Sequence, residues 1–430
     1  MTAPHRLTLR NGLRVLLAPS PSASAVAVTV HYDVGFRSEP QGRSGFAHLF
    51  EHLMFQGSAR YPKLDHWRYV QGLGGTVNGS THQDYTDYHQ LVPPAGLERV
   101  LSMEADRMGD LLVTEETLSN QRAVVKEEIR LNVLNRAYGG FPWIPLPALL
   151  YRSYPNAHNG YGAFDDLDSA TVADAVRFYR TYYVPSNAVL TVAGAVDPDS
   201  ASRLVDRYFG DLPRHPAPTL PDLSEPAPEG VLRGEHKDPH APVPALALGY
   251  RLPDPAADTE AYVTRMVLCE ILAGGTSAGL HTRLVRDRGL ALRVSAGCGL
   301  FNSLDARAPD TLALVVTQHE SADPAAVLAE VDAELERLAG PPDREITSLA
   351  RRRMALRVLR RNADLLARAR SLGTYELLHG RAALVDELPG LIEAVTDETL
   401  RDAAAALRTA PRAELHLIPG NIQPSEKADQ

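Results

Sequence analysis

The residues in this 430-residue chain best spaced to do chemistry are His48-Leu-Phe-Glu51-His52. On a helix, His48 and His52 stand four positions apart, so both rings leave one face and can reach one ion. Two neutral imidazoles suit Zn²⁺, and a site with three protein ligands keeps a fourth position for water. The metal lowers the pKa of that water to roughly 7, and a carboxylate beside it can act as general base. Glu51, three residues after His48, is the expected base. A helix over Gly45–Phe55 is predicted, with Ser44 capping its start and Gly57 closing its end. Its apolar residues Phe46, Leu49, Phe50 and Leu53 embed the histidines where unpartnered polar groups would be costly. An ordinary amphipathic helix with two partly exposed histidines is the competing interpretation. The third ligand must come from elsewhere, and a helix predicted over Glu115–Leu134, opened by Thr114, offers Glu127 and Glu128. These neighbours project about 100° apart, so only one can face the metal. Spacing alone does not choose between them.

HxxEH followed some 75 residues later by a helical Glu-Glu pair resembles the inverzincin peptidases of the pitrilysin, insulin-degrading enzyme and mitochondrial processing peptidase family. Asn11-Gly-Leu-Arg-Val15, Gly74-Gly-Thr-Val-Asn-Gly-Ser-Thr81 and Tyr183-Val-Pro-Ser-Asn-Ala188 leading to Val192-Ala-Gly194 look like its bacterial branch. The likeness is strong over Leu7–Asp197 and diffuse but continuous beyond. It implies one zinc per chain, held by His48, His52 and Glu128. It also implies that Gln121, two turns earlier, supports those ligands where the family often has an acid. The glycine-rich stretch becomes an edge strand to which an extended peptide adds, with Asn78, Gly79 and Ser80 as substrate-binding residues. Gly79 stands where the family usually has alanine. The family further uses an Arg and a Tyr seven apart, from its second half or from a partner subunit. Val285 and Leu292 occupy those positions here, and the nearby Arg286 and Arg288 read as a solvated helix end. The resemblance therefore implies the zinc-bearing half of a heterodimer, its homologous partner lacking the zinc motif and supplying Arg and Tyr.

Two matching halves must position these residues. A Pro-rich stretch, residues 213–230, separates an N-terminal α+β domain (1–212) from a homologous one (231–420), followed by a polar tail (421–430). A shift of 225 residues superposes Thr171 on Thr396, Ala188 on Ala413 and Leu190 on Leu415. The predicted fold is α+β, each domain a mostly antiparallel sheet covered by helices on one face. Strand patterns fall at Ala25–Val30, Gly75–Asn78, Tyr85–Leu91, Ala188–Gly194, Pro244–Tyr250, Leu312–Thr317 and Ala413–Ile418. Helical periodicity covers Gly96–Leu112, Glu260–Leu272, Ala325–Leu338 and one long stretch, Arg344–Leu372.

Composition sets the remaining limits. A net charge of −9 argues against nucleic acid as partner. No apolar run approaches a membrane span or a signal-peptide core, and Cys269 and Cys298 lack CxxC spacing, so two free thiols and a cytoplasmic location are expected. His66, His82, His89, His158 and His281 have no ligand spacing and read as packed or solvated. The leading expectation is a zinc endopeptidase acting on extended peptides. A non-catalytic scaffold or peptide-binding subunit of the same fold is the alternative, disfavoured by the intact His48, Glu51, His52 and Glu128.

Overall fold

Runs of β-branched and apolar residues build two sheets in the computed structural model, which describes residues 4–420; the expected tail at 421–430 lies outside them. The first sheet contains β1 (His5–Thr8), β2 (Arg14–Pro19), β3 (Val26–Tyr32), β4 (Thr76–Thr81), β5 (Thr86–Val92) and β6 (Ala188–Gly194), in the order β1-β2-β6-β3-β5-β4. The second contains β7 (Val231–Asp238), β8 (Ala245–Arg251), β9 (Ala291–Cys298), β10 (Thr311–Gln318) and β11 (Arg412–Pro419), in the order β7-β11-β8-β10-β9. Leaving out β1, both sheets follow one scheme: first strand, last, second, fourth, third. Even the single parallel pair recurs, β2 with β6 and β7 with β11. The α+β duplication written in the sequence is thus a shared topology.

Every residue of β3 and β6 is buried, which requires cover on both faces of the sheet. Consecutive residues of β3 show the two sides. Tyr32 packs among Tyr88 and Tyr183 beneath the helix Phe46–Leu53, whereas His31 meets Gly373 and Thr374 of the helix Leu365–His379. Helices of the same half lie on the first side, as expected; the second is closed by a helix from the other half of the chain. The second sheet does likewise with Pro145–Leu150, whose Leu146 and Leu150 join Ala245, Ala247, Ala413 and Leu415 in one core. The shift of 225 carries 365–379 onto 140–154, so the two exchanged helices are counterparts.

The compact units accordingly interleave along the chain. One takes the chain through Lys126, then Asn159–Asp222 and Arg357–Pro389; the other takes Glu127–His158, Leu223–Leu356 and the chain from Gly390 on. A division at 212/231 separates the strands of the two sheets but not the helices that cover them. Residues 213–230 carry no regular secondary structure, and Glu225 pins them by accepting from Arg152 N, Ser153 N and Asn156 Nδ2.

Two predicted helices differ in detail. Arg344–Leu372 is broken: the first helix stops at Ala363, and Asp364, extended at φ −75° and ψ 124°, caps a second, Leu365–His379, by accepting from Ala367 N at 2.7 Å. Glu115–Leu134 is α-helical to Ile129 and then widens into a π-turn, Arg130–Leu134. Cys269 and Cys298 are buried free thiols with sulfurs 3.9 Å apart. Among the described residues, no helix is long and apolar enough to cross a membrane.

Candidate metal centre

The helix Phe46–Leu53 buries Phe46, Ala47, Leu49, Phe50 and Leu53, and Phe50 packs on Phe178 and Tyr183 at ring distances of 4.9 and 5.5 Å. Its start is not capped by Ser44 as expected. Ser44 Oγ donates to Asp166 instead, and the buried Glu39 carboxylate takes over, accepting from Gly45 N at 2.9 Å and Ala47 N at 2.8 Å. A carboxylate there satisfies orphan N–H groups and complements the helix dipole, which no three-residue capping pattern could reveal. The opposite face presents His48, Glu51 and His52, with the His48 and His52 rings 5.0 Å apart and near-perpendicular, and Tyr161 edge-on to His48 at 5.3 Å.

The second element is the helix Glu115–Ile129. Thr114 Oγ1 accepts from Thr117 N at its start. Arg122 donates to the Asp168 and Ala170 carbonyls and Lys126 bonds the Asp168 carboxylate at 2.8 Å, tying the helix down ahead of its last turn. There His48, His52 and Glu128 each offer a donor atom, and all three atoms lie within 4.8 Å of one another. This is the only such cluster among the described residues. Glu127 is exposed and paired with Arg130 at 3.1 Å. Gln121 is buried two turns before Glu128. Zinc bonds to nitrogen and oxygen of about 2.0–2.2 Å place donors sharing one ion roughly 3–4 Å apart, a spacing that atoms within 4.8 Å of one another would reach by side-chain rotation.

Beside the cluster runs β4, which among the described residues pairs with β5 alone and forms the sheet edge. Thr81 Oγ1 donates to Glu51 Oε2 at 2.7 Å. Gly79 lies so close that a Cβ would stand 3.1 Å from Glu51 Cγ and 3.2 Å from the Tyr88 ring. Tyr88 is itself fixed by the buried Arg107 guanidinium, 4.2 Å over its ring. Asn78 is exposed, and its Oδ1 accepts from Gly79 N. Ser80 faces the other side of the sheet: its hydroxyl donates to Asp87 at 2.6 Å and accepts from Arg370 at 2.6 Å. Burial pushes the Asp87 carboxyl up. The His89 hydrogen bond and the Arg370 charge outweigh that and hold it well below the usual carboxylate range. Burial also lowers His31, next to Asp87 in register, to about 4.

Thr81, Asp87 and Arg370 were not among the residues predicted for the site. Thr81 stands inside the glycine-rich stretch, but no local spacing links it to Glu51, 30 residues earlier. Of the histidines read as packed or solvated, His66, His82 and His89 are buried, and His82 and His89 bond to Ser80 and Asp87.

Residues 14–136, which include all four residues of the cluster and base, match the family model described as insulinase (peptidase family M16), and residues 169–354 match the peptidase M16 inactive domain. The chain is 32% identical over 289 residues to the zinc protease PqqE of Helicobacter pylori, a match spanning 66% of this chain and 64% of that protein. It is 27% identical over 413 residues to an uncharacterized zinc protease of Streptomyces coelicolor, covering 93% of this chain and 86% of the relative. In fold, a crystal structure of a protease from Helicobacter pylori superposes with a TM-score of 0.88 at 24% identity, covering 97% of this chain and 99% of the other. With both halves of the chain matched in order, this protein belongs to peptidase family M16.

Proposed function

We propose that this chain is the zinc-bearing subunit of a metalloendopeptidase that hydrolyses extended peptides, with Glu51 as general base. The observation that carries this reading is the position of Glu51. It shares a helix with His48 and His52, its carboxylate is held by Thr81, and it lies against the glycine of an edge strand. His48, His52 and Glu128 would hold the metal, and buried Gln121 would support the helix turn that presents Glu128. Zinc, when bound, polarises a carbonyl and lowers the pKa of a ligated water to about 7. Glu51 takes the proton of the attacking water and returns it to the leaving amine nitrogen. A peptide adding to β4 pairs with its main chain, so substrate must be unfolded but can vary widely in sequence. Asn78, Gly79 and Ser80 contribute to that grip, Ser80 through its backbone because its hydroxyl is engaged with Asp87 and Arg370.

Developing charge on the attacked carbonyl needs further donors. Val285 and the exposed Leu292 can supply none, while Arg286 and Arg288 are paired with Asp287 and Glu330. A homologous subunit bearing Arg and Tyr completes the site, making the working enzyme a heterodimer. Glu51→Gln tests the assignment: it keeps one zinc per chain while turnover falls by about 10²–10⁴-fold. Near-normal turnover in that variant refutes the role of Glu51.

A further inference from the structure

An edge strand has one neighbour and little to fix its register. β4 is also rich in glycine at its start, with Gly74 and Gly75 before it and Gly79 within. Yet its Thr81 must meet Glu51 to within hydrogen-bond distance. The side of the sheet turned away from Glu51 supplies the constraint. There Ser80 and Asp87, cross-strand partners in register, are bonded at 2.6 Å. Arg370, on the helix that the expected long helix would have swallowed, grips both Asp87 oxygens, Nε to Oδ2 and Nη2 to Oδ1, each at 2.8 Å. The same Nη2 donates to Ser80 Oγ. Asp87 is fully buried and also bonded by His89 Nδ1 at 2.9 Å. Forked guanidinium–carboxylate pairs fix direction as well as distance. All of these residues belong to the same compact unit as Glu51.

We propose that β4 is the element that aims Glu51: Thr81 is a positioning residue for its carboxylate, and the Asp87–Arg370 pair, acting through Ser80, fixes the strand in the register from which Thr81 reaches it. This rests on reading Glu51 as the general base. Ser80 and Thr81 are adjacent and point to opposite faces, so a clamp on one determines where the other stands. Glutamate has three rotatable bonds, and a base held in one rotamer before substrate arrives reacts from a prepared geometry.

The test measures peptide turnover, zinc content and hydrogen exchange on the full chain, with its homologous subunit wherever turnover is read. Thr81→Val lowers kcat by about 10- to 100-fold while KM and zinc content stay within about twofold, and Thr81→Ser restores most of the loss. In a Glu51→Gln background the same Thr81→Val change costs nothing further, because the group it serves is gone. Wild-type kcat in Thr81→Val, or an undiminished loss in the Glu51→Gln background, overturns the proposal. If Glu51→Gln itself keeps wild-type turnover, the base assignment fails and the proposal falls with it, a result distinct from the other two. Independently of turnover, Arg370→Lys and Ser80→Ala raise amide exchange at 76–81 by about tenfold or more and leave β3 unchanged. Ser80→Ala leaves the Asp87–Arg370 pair intact and so remains informative if Arg370→Lys does not fold. Unchanged exchange at 76–81 in Ser80→Ala overturns the clamp.

Discussion

Glu127 and Glu128 are adjacent on one helix, and their surroundings divide them: the first is solvent-exposed beside Arg130, the second stands with His48 and His52. Metal analysis of purified variants is expected to find Glu128→Gln without zinc and Glu127→Gln with one zinc per chain. His31 couples folding to pH. Its folded pKa of about 4 lies below its ordinary 6.5, because burial disfavours the charged ring. Between those values the unfolded chain binds a proton that the folded chain excludes, so stability falls as pH drops from 6.5 and the full contribution is gone below 4. The loss is about 3 kcal/mol from His31, and His66, lowered well below its ordinary value by burial and by Arg107, acts in the same direction. Urea midpoints of metal-stripped protein at pH 7 and pH 4 measure it; equal midpoints would show that His31 is not held neutral. His48, Glu51 and His52 could be read from the sequence because one helical turn relates them. Arg370 could not, because it meets Ser80 across 290 residues and nothing local marks it.

Among the elements, the helix Leu365–His379 supports the sheet beside the site, through Arg370 on Asp87 and Ser80 and through its close packing on β3. It lies so close to β3 that a Cβ on Gly373 would stand 2.3 Å from His31 Nδ1. In an ordinary helix interior, Gly→Ala stabilises by about 1 kcal/mol. Here the sign reverses: Gly373→Ala should destabilise by roughly 1–3 kcal/mol, the usual cost of overpacking, as read by chemical denaturation. The sequence concealed this helix inside a continuous periodic stretch, because both segments bury apolar stripes and only Asp364 interrupts them. Strand β6 was legible to the residue as Ala188–Gly194, being wholly buried, with β-branched Val189, Thr191 and Val192 at its centre. Strand β7 was not, since its burial alternates between exposed and intermediate up to the buried Asp238 and its residues VLRGEHKD carry no apolar rhythm.

Across the whole molecule, the duplicated fold carries its candidate metal cluster in one place only among the described residues. Both halves have the same strand order, but His48, Glu51, His52 and Glu128 all fall in the part matched by the insulinase model, and the inactive-domain model covers residues 169–354. The repeat at 225 was visible in sequence; the exchange of covering helices was not, because periodicity says that a helix is half-buried without saying against which sheet. The chain alone is expected to hold zinc yet cleave slowly, and a homologous subunit carrying Arg and Tyr to restore speed. Turnover of an unstructured peptide by that pair, measured before chelation, after chelation, and after one equivalent of zinc is returned, decides whether the metal is needed for cleavage. Activity should vanish with the metal and recover at one zinc per copy of this chain; undiminished cleavage by metal-free protein would rule out a zinc peptidase.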